Sequence, residues 1–107
     1  MSVTMNGAAK AIKDKVRITV ELFGMARIAC GRRRLSIETA ADGSVSAVVA
    51  ALADACPELV GRAISEDLSA LMESYTFNLN GTSFIDEAAF VLKTGDTLLL
   101  FSSQAGG

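Results

Sequence analysis

The chain contains no histidine and no tryptophan, a single proline and only two cysteines among its 107 residues. Without histidine, the usual mixed zinc sets, serine–histidine triads and imidazole general bases are excluded. Cys30 and Cys56 lie far apart, with no second cysteine beside either. They read as small buried thiols in a reducing compartment rather than as a disulfide or half of a metal site. No apolar run approaches the roughly 18 residues of a membrane span, and residues 1–15 have lysines at 10, 13 and 15 but no apolar core of a secretory signal. That segment is expected to be a flexible extension ahead of the domain, and the protein is expected in the cytoplasm. Charge of one sign is also missing. Ten basic residues against twelve acidic ones argue against a general nucleic-acid binder. Arg32-Arg33-Arg34 is the only basic run and reads as a solvated loop or strand edge, the alternative being a docking patch for an acidic partner.

What is present is a pattern of short elements. In Val16–Phe23, Val16, Ile18, Val20 and Leu22 alternate with Arg17, Thr19 and Glu21, which predicts a strand with one apolar face. Phe23 falls on the polar side of that alternation. Gly24 to Gly31 reads as a loop with at most a short turn of helix. Arg33 to Glu38 is expected to form a second strand with Leu35 and Ile37 inward, paired antiparallel with the first.

Asp42-Gly43-Ser44 then leads into Val45, Val48, Val49, Leu52 and Cys56, at helical spacing. Ser44 is a good N-cap, and the helix must stop before Pro57. Residues 58–73 carry Ile64, Leu68, Leu71 and Met72 without a clear period; a second short helix and an irregular excursion both fit. Tyr75–Leu79 reads as a strand, Asn80-Gly81 as a tight turn, Ser83–Ile85 as a short strand, 93–96 as another turn, and Thr97–Phe101 as the last strand. The order β-β-α-β-(β)-β predicts an α+β domain over residues 16–101, a sheet of four to five strands with one main helix on one face. Residues 102–107 would form a mobile tail.

No catalytic constellation is visible. Asp42, Asp54, Glu58, Glu66 and Asp67 are scattered, and no glycine loop precedes a phosphate-binding lysine. The candidate reactive group is instead the last carboxylate, at Gly106-Gly107. Glycine has no Cβ, so such a tail can enter a narrow channel at any φ/ψ, with its terminal carbon unshielded. Joined to AMP, that carboxylate becomes a mixed anhydride, and a sulfur nucleophile can displace AMP to leave a thiocarboxylate. The bland alternative is a frayed chain end.

Taken in order, Leu22-Phe23-Gly24, Arg27, Gly31, Asp42-Gly43-Ser44-Val45, Asn80-Gly81, Gly95-Asp96 and Gly106-Gly107 resemble the MoaD/ThiS family of ubiquitin-like sulfur carriers, with the molybdopterin synthase small-subunit branch the most similar. The match runs from Val16 to Gly107. Ser102-Ser103-Gln104-Ala105 departs from the proline pair usual in the molybdopterin branch, which leaves the pathway open. The resemblance implies a β-grasp fold and a carrier rather than an enzyme. An E1-like enzyme would adenylate Gly107 with ATP and magnesium, and a sulfurtransferase or cysteine desulfurase would supply sulfur. The acceptor would be the large synthase subunit or another enzyme of the thiamine-thiazole or cysteine pathways. No cofactor, metal, nucleic acid or membrane would be bound by the chain itself. Isopeptide-forming modifiers share the same activation chemistry, and a plain binding module is the third reading.

An independent pointer to partners lies in Thr97–Phe101. Leu98 and Leu100 face one way, Leu99 and Phe101 the other, yet one helix covers only one face. Phe23, Leu99 and Phe101 are therefore expected to cluster on an uncovered face together with Phe84, as a partner-binding patch. Ala105 and Gly106 would pass into the partner with the tail. The alternative is that residues 58–73 fold over that face.

Overall fold

The computed structural model describes residues 15–41, 44–85 and 91–102. Strand β1 (Lys15–Leu22) is followed by helix α1 (Gly24–Cys30), strand β2 (Arg34–Ala40), helix α2 (Val45–Ala55), a 3-10 turn (Pro57–Leu59) and strands β3 (Tyr75–Leu79), β4 (Ser83–Ile85) and β5 (Thr97–Ser102). The sheet order is β2-β1-β5-β3-β4. Strands β1 and β5 run parallel at its centre, and the other neighbours are antiparallel. This five-stranded mixed sheet with a crossover helix is the α+β arrangement expected from the element order and the β-grasp architecture that the family resemblance implied.

The alternation in β1 does what its period requires. Ile18, Val20 and Leu22 are buried under α2, and Arg17 and Glu21 turn to the other face, where they pair with Glu38 at 3.8 Å and Arg34 at 3.6 Å. Strand β2 brings Leu35, Ile37 and Thr39 to the covered side and extends to Ala40, two residues past the expected end. Helix α2 begins where Ser44 Oγ accepts from the backbone N–H of Ala47 at 3.3 Å, relieving one orphan donor. Val48, Val49 and Leu52 lie fully buried against the sheet, and the helix ends at Cys56, before Pro57.

Two regions differ from the sequence reading. Gly24–Gly31 is a helix with a turn at its end rather than a loop. Gly31, at φ 78°, closes α1 in the left-handed conformation, and its N–H bonds to the Arg27 carbonyl. Burial of Ala26 holds this short element to the core. Residues 60–73 take the irregular course rather than a second helix, with isolated bridges Val60–Ile64 and Ile64–Leu71. Leu59, Ala63 and Ile64 join Val48, Val49 and Leu52 in one core, so this excursion extends the covered side and leaves the opposite sheet face open. Leu68 and Met72, which a second short helix could have included, are exposed.

Candidate functional site

The open face has two halves. Over β1 and β2 it is polar, with the Arg17–Glu38 and Arg34–Glu21 pairs and Thr19 opposite Ser36. Over β5 and β4 it carries the apolar Leu99, Phe101 and Phe84, with Thr76 and Asn78 of β3 between them. Strand β5 buries Leu98 and Leu100 in the core and so must turn Leu99 and Phe101 to the opposite face, where both are half-buried. The pairing register fixes their neighbours: Glu21, Leu99, Asn78 and Phe84 follow one another across adjacent strands, and Phe101 faces Thr76.

Phe23 reaches the same area because β1 ends one residue earlier. Its N–H bonds to the Leu100 carbonyl at 3.1 Å, continuing the parallel ladder, and its ring points away from the covered side. The Phe23 and Phe101 rings meet edge to face with centroids 6.4 Å apart, and Phe84 lies tilted against Phe101 at 5.8 Å. Phe101 is therefore the centre of a three-ring cluster. Phe23 is 39% and Phe84 64% exposed. Exposure of linked aromatic rings on a sheet face is characteristic of protein-binding surfaces. The structure thus brings together Phe23, Phe84, Leu99 and Phe101. Ala105, Gly106 and Gly107 lie outside the described residues, as do Asp42 and Gly43.

Three features escaped the sequence reading. Asn78 sits on the open face between Leu99 and Phe84, is only 7% exposed, and its Oδ1 has no hydrogen-bond partner among the described residues. An asparagine in the middle of a predicted strand was the available signal. Helix α1 adds Met25 and Ile28, both well exposed and one turn apart, just after Phe23. The third feature is Cys30. The two cysteines, read as far apart, are brought together: the Cys30 side chain lies against the Cys56 thiol. Both are free. Burial, then Cys30, then the Glu58 carboxylate, which accepts from Cys56 Sγ at 3.4 Å, push the Cys56 thiol up to about 12.

At the start of β5, Asp96 accepts from the Lys93 backbone N–H at 2.8 Å and the Asn80 amide at 3.1 Å. Those bonds, the first foremost, hold its carboxyl below the ordinary range against the opposing effect of burial. Asn80 Oδ1 in turn accepts from Thr97 N at 2.8 Å, so the β3–β4 turn is fastened to the end of the strand that carries Leu99 and Phe101. Asn80 and Gly81, both at positive φ, form that turn.

No group of three potential metal ligands occurs among the described residues. A cleft between the start of α2 and residues 69–73 has Glu73 as the single carboxylate among its described lining residues. Arg32 and Arg34 of the basic run serve structural contacts, Arg32 donating to the Ala55 carbonyl at 3.2 Å and Arg34 pairing with Glu21. No described helix is long and apolar enough to cross a membrane.

No protein-family model matches the chain, and no curated protein sequence matches it. Solved structures do. Small archaeal modifier protein 1 from Haloferax volcanii is 28% identical, over 85% of this chain and 99% of that one, with a TM-score of 0.62. Small archaeal modifier protein 1 from Methanosarcina acetivorans is 22% identical, over 88% and 99%, with a TM-score of 0.70. A Pyrococcus furiosus protein described as molybdopterin converting factor subunit 1 is 22% identical, over 81% and 97%, with a TM-score of 0.57. The ubiquitin-like fold is common to all three, and the likeness to MoaD/ThiS-type proteins seen in the sequence is thus shared by the structure.

Proposed function

We propose that this MoaD/ThiS-like β-grasp protein is a sulfur carrier, gripped by partner enzymes through the Phe23–Phe101–Phe84 face while its Gly107 carboxylate is activated and converted to a thiocarboxylate. The observation that carries this reading is the joining of that aromatic face to β5, the strand that leads into the tail. Leu99 and Phe101 are presented by the same six residues whose continuation ends in Gly106-Gly107. A partner that holds the face therefore holds the tail within a few residues of its own active site.

The chemistry belongs to the partners. The Gly107 carboxylate attacks the α-phosphorus of ATP on an E1-like enzyme, forming the acyl adenylate and releasing pyrophosphate. A sulfur nucleophile then expels AMP; with hydrosulfide the products are the thiocarboxylate, AMP and a proton. Molybdopterin synthesis is the destination favoured here, supported by the likeness to the molybdopterin converting factor subunit. A second reading has an observation of its own. The 28% identical neighbour is described as a small archaeal modifier protein, and the same adenylate could pass to a lysine amine as an isopeptide.

Incubation with ATP, magnesium, an E1-like enzyme and a sulfur source, followed by intact-mass analysis, separates the two. Exchange of one oxygen for sulfur at the terminus supports the carrier, and lysine-linked adducts support the modifier. Deletion of Gly107 should abolish both products and leave the thermal midpoint unchanged. An unchanged yield from the deleted chain would overturn both readings.

A further inference from the structure

We propose that Cys30 and Cys56 are a redox-responsive pair that closes into an intramolecular disulfide, tying the end of α1 to the end of α2, when a small-molecule disulfide oxidises the chain.

The fold assembles this pair from distant sequence. Cys30 is the last residue of α1, and Cys56 caps α2. Helix α1 packs on the 3-10 turn that begins one residue after Cys56. The Arg32 guanidinium donates to the Ala55 carbonyl at 3.2 Å, fastening the chain just past Cys30 to the residue just before Cys56. The Gly31 N–H, bonded back to Arg27 at 2.9 Å, fixes the end of α1 from the other side. Between these ties Cys56 lies within the core and Cys30, half-buried, packs against that same core.

Their surroundings are unequal, and that sets an order of events. Cys56 is 1% exposed, whereas Cys30 is half-buried and within reach of solvent. An oxidant therefore meets Cys30 first. The Cys30 thiolate attacks one sulfur of a small disulfide, forming a mixed disulfide and releasing one small thiolate. Cys56 then loses its proton and attacks the Cys30 sulfur, releasing the second small thiolate. The net change is two protein thiols oxidised to one disulfide and one small disulfide reduced to two thiols. In the resting state Glu58 accepts a hydrogen bond from the Cys56 thiol at 3.4 Å, and its charge opposes formation of a neighbouring thiolate. Closure is consequently slow near neutral pH and accelerates as pH rises, since the thiolate is the nucleophile.

The cross-link would close a loop containing β2 and α2 and would fix α1, the helix that follows Phe23. It would leave the open sheet face uncovered. The test oxidises the purified full chain with glutathione disulfide and follows intact mass, non-reducing peptide maps and thermal unfolding. The expected product is a monomer lighter by about 2 Da, containing a Cys30–Cys56 linked peptide. Its midpoint is raised by roughly 10 °C, reversibly with dithiothreitol. Cys56→Ala should stop at the glutathione adduct on Cys30, and Cys30→Ala should stay unmodified. A wild-type chain that halts at the Cys30 adduct, links Cys30 between two molecules, or stays reduced would overturn the proposal. Each of these outcomes is read on wild-type protein, so the test holds even where a variant fails to fold.

Discussion

Phe23 and Phe101 stand edge to face, although they come from opposite ends of the chain and from two strands that run parallel. The contact arises because β1 stops at Leu22 and the next side chain must emerge on the side opposite Leu22. One ring thus closes the first strand while the other nearly closes the last. Their meeting point is on the open face, where the polar half of the sheet gives way to the apolar half.

Phe84 is the ring of this cluster that contributes least to the fold, being mostly exposed on the edge strand β4. Phe84→Asp should shift the thermal midpoint by no more than about 3 °C. It should raise the concentration needed for half-maximal activation by an E1-like enzyme by roughly 10-fold or more, in the range of an interface anchor. Pyrophosphate release at varied carrier concentration measures this, and an unchanged requirement would place the partner on another surface.

Asn78 leads to an expectation of the opposite sign. Its Oδ1 is buried without a partner among the described residues, between Leu99 and Phe84. Asn78→Leu removes that unmet acceptor at similar volume and should raise stability by about 1 kcal/mol. Urea unfolding of the two proteins checks it; a lower midpoint for the variant would show that the amide makes a stabilising interaction.

Asp96 contributes to the acid limb of stability. Its carboxyl is lowered in the folded chain, by the Lys93 N–H first and the Asn80 amide second. The stabilisation is therefore fully present above the unfolded value near ~3.9 and is lost as pH falls from there through the folded value. Asp96→Ala should lower stability at neutral pH by about 1–3 kcal/mol and flatten the decline below pH ~4. Denaturation midpoints at acid and neutral pH test both effects. A variant with an undiminished acid decline would assign that decline to other carboxylates.

Leu52, fully buried on the sheet-facing side of α2, measures the core. Leu52→Ala should cost about 2–5 kcal/mol, read from urea unfolding at constant slope. A loss under about 1 kcal/mol would mean that residues 59–64 collapse into the vacated space.

The elements that the sequence revealed are those whose side chains report a period or a stop. Strand β1 alternates cleanly, α2 has Ser44 before it and Pro57 after it, and β3 and β4 flank Asn80-Gly81. Helix α1 was hidden because seven residues after a glycine, with no side-chain cap, carry little local signal. Its helicity depends on burying Ala26 and on the left-handed Gly31. Residues 60–73 follow no period because the adjacent Ala63 and Ile64 are buried together within an irregular path. On the open face, Leu99 and Phe101 were legible because five successive positions in β5 leave half of them nowhere to hide from solvent within their own strand. The approach of Cys30 to Cys56 was not, since it exists only once α1 and the end of α2 have packed.

The parallel neighbours β1 and β5 also decide how the domain bears load. A partner that draws the chain beyond Ser102 into its channel pulls β5 lengthwise. From Thr19–Thr97 to Leu22–Leu100, the paired residues would have to slide past one another all together, instead of unzipping in succession. Traction along that axis is shared across the whole ladder, so the globular body can act as a stop that keeps its shape while the tail is hauled taut.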